Sequence, residues 1–239
     1  MAKKIYINPG HSNTDPGAVK YATERELCVK VGKYMNEYLR ANYECQTKVS
    51  SGSINSLSAI AKQANKWKAN LFVSIHFNAG GGDGFEAYVY SKKRSDLGKV
   101  FAKHVKAIGQ NLRSGNLATG VKSRPTLAVL RLTNMAAILC EGAFVDNKKD
   151  INDWNDDAEL KKLGIAYAEA AAEYLKLPKK VKAPEPVPAP APEATKGMYR
   201  VFDAAGKQVG AYSEEANAFN QVKKQLQAGG SAKITLSEK

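Results

Sequence analysis

Histidine and cysteine are scarce, with three of each in 239 residues. Cys28, Cys45 and Cys140 are odd in number and scattered, which excludes a paired disulfide framework and a CxxC metal knuckle. Buried free thiols are the expectation. No window approaches the roughly 20 apolar residues of a membrane span. Met1-Ala2-Lys3-Lys4-Ile5 leads into no apolar stretch of signal-peptide length, so synthesis in the cytosol and release by another route are expected. Acidic residues are outnumbered, 23 against 36 lysines and arginines, for a net charge of +13. That excess points to a polyanionic setting: nucleic acid, an anionic membrane or a bacterial wall. Charge alone does not choose among them. With 44% hydrophobic and 25% charged residues, the chain is globular.

Proline concentrates between Pro178 and Thr195, in alternation that favours a polyproline II spacer. It divides the sequence into a main domain over 1–177, a Pro/Ala-rich linker over 178–196 and a small domain over 197–239. In the first part strand and helix patterns alternate. Strands are expected at Lys4–Asn8, Gln46–Ser50, Leu71–His76, Phe85–Tyr90, Leu127–Leu130 and Ala137–Glu141. Helices are expected at Thr23–Ala41, Leu57–Lys68, Asp96–Leu112 and Asp157–Leu175. Thr23 and Glu26 have the spacing of a capping box. This is an α/β pattern: a twisted, mostly parallel sheet flanked by helices. Beyond the linker, Met198–Phe202 and Gln208–Tyr212 read as a hairpin. A helix capped by Ser213 runs to Gln227, Gly229-Gly230 stops it, and Ala232–Leu236 is a last strand. This is a small α+β unit of binding-module size.

Two of the three histidines close apolar strand-like runs: His11 after Ile5-Tyr6-Ile7-Asn8-Pro9-Gly10, and His76 after Leu71-Phe72-Val73-Ser74-Ile75. Parallel strands would bring both imidazoles to one carboxyl edge, where open α/β sheets carry their sites. Two converging imidazoles point to zinc, which takes three protein ligands in a catalytic site. Glu24, at the start of the first helix, is the natural third ligand. Glu26 competes, but about 200° of helix separates the two, so one of them faces the metal. Glu141 closes the buried run Ala136-Ala137-Ile138-Leu139-Cys140. A carboxylate there needs a task, and beside zinc that task is general base and then general acid.

Ile7-Asn8-Pro9-Gly10-His11, Gly17-Ala18 and Glu24-Arg25-Glu26-Leu27 resemble the opening motif of the zinc-dependent N-acetylmuramoyl-L-alanine amidases. Val73-Ser74-Ile75-His76-Phe77-Asn78-Ala79 is similar to that family's second histidine motif, and Leu139–Asn147 to its catalytic-glutamate segment. Ala143 stands where the family often has another small residue. The resemblance spans roughly residues 3–176. It implies His11, Glu24 and His76 as ligands of one Zn2+, settling Glu24 over Glu26, and Glu141 as the catalytic carboxylate. It implies cleavage of the amide between N-acetylmuramic acid and L-alanine in peptidoglycan, as by a bacteriophage endolysin or a host autolysin. Wall teichoic acid would suit the basic charge, and nucleic acid is not the expected partner. Arg131 is a candidate contact for a substrate carboxylate, with a solvated structural arginine as the alternative.

Other features carry plainer expectations. His104 is a surface or boundary residue of a helix. Gly80–Gly84 lacks the ending of a phosphate loop and is expected to border a substrate groove. Asp146, Asp150, Asp153, Asp156 and Asp157 miss EF-hand spacing and read as a solvated helix-start region. Residues 198–236 somewhat resemble the sporulation-related peptidoglycan-binding repeat, which implies wall targeting.

Overall fold

The computed structural model describes residues 2–180, 197–227 and 231–238. The chain divides into two compact units, Met1–Lys180 and Val181–Lys239. Most of the proline-rich linker and the Gly229-Gly230 helix stop lie outside the described residues.

The first unit is built on a six-stranded sheet in the order β2-β1-β3-β6-β4-β5. The strands are β1 (Lys3–Pro9), β2 (Cys45–Val49), β3 (Leu71–Asn78), β4 (Glu86–Val89), β5 (Val121–Ser123) and β6 (Ala136–Phe144). The pairs β1–β2, β1–β3, β3–β6 and β4–β5 are parallel, whereas β4 runs antiparallel to β6. That reversal follows from the short β3–β4 connection, which spans too few residues for a crossover and must return along the same edge.

The central strands are apolar throughout because both faces are covered. Ile5, Ile7, Val73, Ile75, Ile138 and Cys140 pack on one face with α1 (Glu24–Asn42), α3 (Ser95–Ala107) and α6 (Asp157–Leu175). Tyr6, Phe72, Ala137 and Leu139 alternate to the other face, under Ile60 and Ala64 of α2 (Leu57–Lys66) and Val129 and Leu130 of α4 (Ala128–Arg131). Three layers result, with the sheet in the middle.

Three local expectations are corrected. Leu127–Leu130 is no strand: α4 begins at Ala128, and the strand beside β4 is β5. A four-residue apolar run fits either conformation, and packing against Ile60 and Ala64 decides it. The helix from Asp96 ends at Ala107 and not at Leu112. Gly109 at φ 98° turns the chain, and Leu112 bridges to Phe85. Thr23 does occupy the position before α1, but its side chain makes no capping bond. Past α6, Pro178 and Lys180 still hydrogen-bond to Glu44 and Asn42, so the first unit extends to Lys180.

Cys28 and Cys140 are buried and Cys45 is half-buried, all as free thiols. His104 pairs with Glu173 at 2.8 Å on the surface. The aspartate-rich stretch is a helix-start region: Asn147 caps α5 (Lys148–Asn152) and Asp156 caps α6. Against the expectation of a solvated stretch, Asp150 is buried and accepts from the Gly84 and Phe144 amides, which tie the β3–β4 loop to β6.

The second unit is a three-stranded antiparallel sheet, β8 (Gln208–Tyr212), β7 (Gly197–Asp203) and β9 (Ala232–Glu238), with α7 (Glu215–Gln227) against it. Val201 and Ala218 are buried. The helix opens at Glu215, two residues past the expected cap at Ser213. No helix among the described residues is long and apolar enough to cross a membrane.

Candidate metal centre

At the carboxyl end of β1 the Gly10 amide donates to the Ile75 carbonyl at 2.7 Å, so β1 and β3 reach the sheet edge in step. His11 then takes φ 64°, a left-handed conformation uncommon outside glycine and found where surrounding structure over-determines it. Arg25 supplies that constraint: its Nη1 donates to the Pro9 and Gly10 carbonyls at 3.2 and 3.0 Å. His11 Nδ1 pairs with Asp15 Oδ2 at 2.9 Å, which aims Nε2 at Glu24 Oε1, 2.8 Å away. His76, near the end of β3, places Nδ1 3.0 Å from the same oxygen.

Glu24 is 5% exposed and held from both sides: Oε2 accepts from the Ala18 amide and Oε1 from the Phe77 amide. Donor atoms of His11, Glu24 and His76 all lie within 4.8 Å of one another. Glu26, the competing carboxylate, is exposed. Two glycines make room. A Cβ at Gly10 would lie 2.4 Å from the His76 ring, and one at Gly17 would lie 2.6 Å from both Glu24 Oε2 and the His11 ring.

The charges couple. The hydrogen bond to Glu24 raises the His11 pKa to about 9 against the opposing effect of burial, and Asp15 adds to the rise. Burial pushes Glu24 upward, but hydrogen bonds from His11 and His76 outweigh it and hold the carboxyl at about 2.

Glu141 lies opposite His76 in the β3–β6 register and opposite Glu86 in the β6–β4 register. Its Oε2 is buried without a hydrogen-bond partner among the described residues. Burial raises its pKa to about 8, with the negative charges of Glu24 and Glu86 adding to the rise. Glu86 is itself buried, at 1% exposure, and is matched by Arg113 at 2.8 Å, by Lys122, by Tyr88 OH and by Asn78.

The four residues expected at the site thus converge on one sheet edge. Arg131 does not join them. It is exposed at the end of α4, and no hydrogen bond or ion pair among the described residues links it to the centre. Its neighbours Leu130 and Thr133 line a cavity with Tyr90 and Met135, at the opposite edge, where β6 begins. Asp15 and Arg25 contact the His11 turn, and Arg113 and Lys122 pair with Glu86; sequence reasoning singled out none of these five. For Glu86 a signal existed: a lone acid in the apolar run from Phe85 to Tyr90.

Comparison with known proteins bears on the family and the fold. The profile of the N-acetylmuramoyl-L-alanine amidase family matches residues 5–173. The endolysin of Bacillus phage SPP1 is 34% identical over 186 residues, 75% of this chain and 69% of that protein. The sporulation-specific N-acetylmuramoyl-L-alanine amidase of Bacillus subtilis (strain 168) is 29% identical over 220 residues, 90% of this chain and 77% of its own length. Among solved structures, the catalytic domain of CwlV, an N-acetylmuramoyl-L-alanine amidase from Bacillus (Paenibacillus) polymyxa var. colistinus, superposes with a TM-score of 0.67 at 26% identity, over 74% of this chain and 99% of that one. A motif set converging on one edge, a matching fold and a family profile spanning most of the chain lead to one assignment: the chain belongs to the N-acetylmuramoyl-L-alanine amidase family.

Proposed function

We propose that this amidase hydrolyses the amide between N-acetylmuramic acid and L-alanine at a zinc centre held by His11, Glu24 and His76, with Glu141 as the proton-transfer group. The donor set suits zinc: two imidazoles and one carboxylate match the His2Glu sets of catalytic zinc sites. The single observation that carries the reading is the buried Oε2 of Glu141, without a hydrogen-bond partner among the described residues, on the strand next to His76. Such an orphan carboxylate oxygen calls for a role. Bound there, zinc supplies Lewis acidity, polarising a carbonyl and acidifying water.

The chain's own residues do the rest. Asp15 orients His11, the kind of outer partner that fixes a metal-binding imidazole. The amides of Ala18 and Phe77 hold Glu24. Glu141 takes a proton from water and gives it to the departing alanine nitrogen, a cycle that suits a carboxyl poised near neutrality. The small C-terminal unit is read as a wall-binding module, and the net charge of +13 suits an anionic wall polymer such as teichoic acid. Lysis of the bacterial wall would be the biological outcome.

The deciding experiment measures new alanine amino termini released from purified cell walls, with and without chelator and added zinc, beside Glu141→Gln. Loss of release in both, with zinc binding retained in the variant, is expected. Undiminished release under chelation would overturn the zinc centre, and undiminished release by Glu141→Gln would overturn the proton-transfer role.

A further inference from the structure

We propose that Arg113 and Lys122 form a carboxylate-binding subsite for the stem peptide, so that the enzyme selects stems with a free acid over amidated ones. The inference rests on the amidase reading above. His76, Glu141 and Glu86 lie side by side on three neighbouring strands. At about 4.8 Å per strand, Glu86 sits roughly 10 Å along the edge from His76. At about 3.3–3.6 Å per extended residue, that is the span of about three peptide residues beyond the scissile bond.

Glu86 is an anchor. Its buried carboxylate accepts from Arg113, Asn78 and Tyr88 at one oxygen and from Lys122 at the other. It balances one of the two cations and leaves the cluster one positive charge in excess. Arg113 and Lys122 are 33% and 27% exposed, fixed at one end and open to solvent. The Arg113 guanidinium also stacks on Phe144, 4.7 Å from the ring centre, which sets its plane. Among the described residues Glu86 is its only acceptor, through Nη1, so its other donors remain free for a second carboxylate. Arg124, over the Tyr88 ring, extends the basic flank.

The other flank of the centre differs. A cavity of about 320 Å³ runs from His11, Asp15 and His76 to Asn8, Asn55 and the apolar Ile54, Leu57 and Ile60, with no lysine or arginine. A substrate with an uncharged sugar at one end and an anionic peptide at the other therefore fits the edge in one direction.

The test uses the intact metal-loaded chain and synthetic muramyl tripeptides. These carry a free acid or an amide at the second stem residue, and in a second pair at the third. Amidation at one of the two positions should lower kcat/KM about ten- to a hundredfold, the worth of a hydrogen bond between charged groups, and that position identifies the carboxylate bound. In Lys122→Gln, and in Arg113→Gln combined with Glu86→Gln so that no buried charge is stranded, the ratio should fall toward one. A wild-type ratio of one, or a ratio unchanged in both variants, overturns the subsite. Calorimetric binding of the free stem tripeptides separates the two readings. Selective binding of the acid, with no alanine amino termini released from the muramyl tripeptides, refutes the amidase chemistry alone, and equal binding of acid and amide refutes the subsite.

Discussion

Metal binding should be coupled to proton release through His11. In the metal-free protein both ring nitrogens of His11 face carboxylates, Asp15 at 2.9 Å and Glu24 at 2.8 Å, and its pKa is raised to about 9. A metal takes only the unprotonated imidazole. At pH 7 roughly one His11 in a hundred is unprotonated, so apparent affinity should be about a hundredfold below its plateau and rise about tenfold per pH unit toward pH 9. Glu141, raised to about 8, adds part of a second proton once a cation lies near it. Calorimetric zinc titrations in buffers of different ionisation enthalpy count these protons directly. Between one and two should be released at pH 7. Affinity independent of pH from 6 to 8, with no proton released, would refute the coupling. The same pair sets the stability of the chelated protein. Glu24, depressed to about 2, contributes above its ordinary 4.5 and loses that contribution as pH falls toward 2. His11 contributes fully below its ordinary 6.5 and loses that contribution as pH rises through 9. Urea midpoints of chelated protein should therefore show this contribution in full between about pH 4.5 and 6.5.

Asp15→Asn should weaken zinc binding about ten- to a hundredfold while the circular dichroism spectrum stays unchanged, because the residue orients a ligand and carries no core packing. An unaltered zinc affinity would remove Asp15 from the centre. Gly17→Ala places a methyl against Glu24 and His11 at φ 70°, so zinc affinity and alanine release should both fall steeply; a fully active variant would contradict the packing described. Phe101→Ala empties a fully buried position between α3 and Tyr167 and should lower unfolding free energy by about 3–5 kcal/mol in urea titration. A loss below about 1 kcal/mol would mean that the site collapses freely.

The centre's direct members were legible because the chemistry sits in short local motifs. His11 and His76 follow apolar runs, Glu24 opens a helix and Glu141 breaks the apolar run inside β6, all visible as interruptions of pattern. Glu86 left one trace, a lone acid in an apolar run, but its pairing with Arg113 and Lys122 was not legible. Arg113 and Lys122 lie 27 and 36 residues from it in sequence and meet it through tertiary packing alone. Arg131 could not be placed from sequence: it is adjacent to the Glu141 strand, but five further residues of strand carry Glu141 to the other edge of the sheet and leave Arg131 exposed.

What the sequence by itself determined is the alternation of strand and helix, the basic charge and the order of the motifs, since these follow from local periodicity and residue chemistry. Tertiary structure decided the rest. Val121–Ser123 became a strand only by pairing with β4, and Leu127–Leu130 became a turn into helix only under α2. The left-handed turn at His11 depends on Arg25, whose side chain reaches the Pro9 and Gly10 carbonyls from the next helix. Pairing partners and long-range donors supply the free energy that selects one local conformation over another, and no window of sequence contains both sides of such a contact.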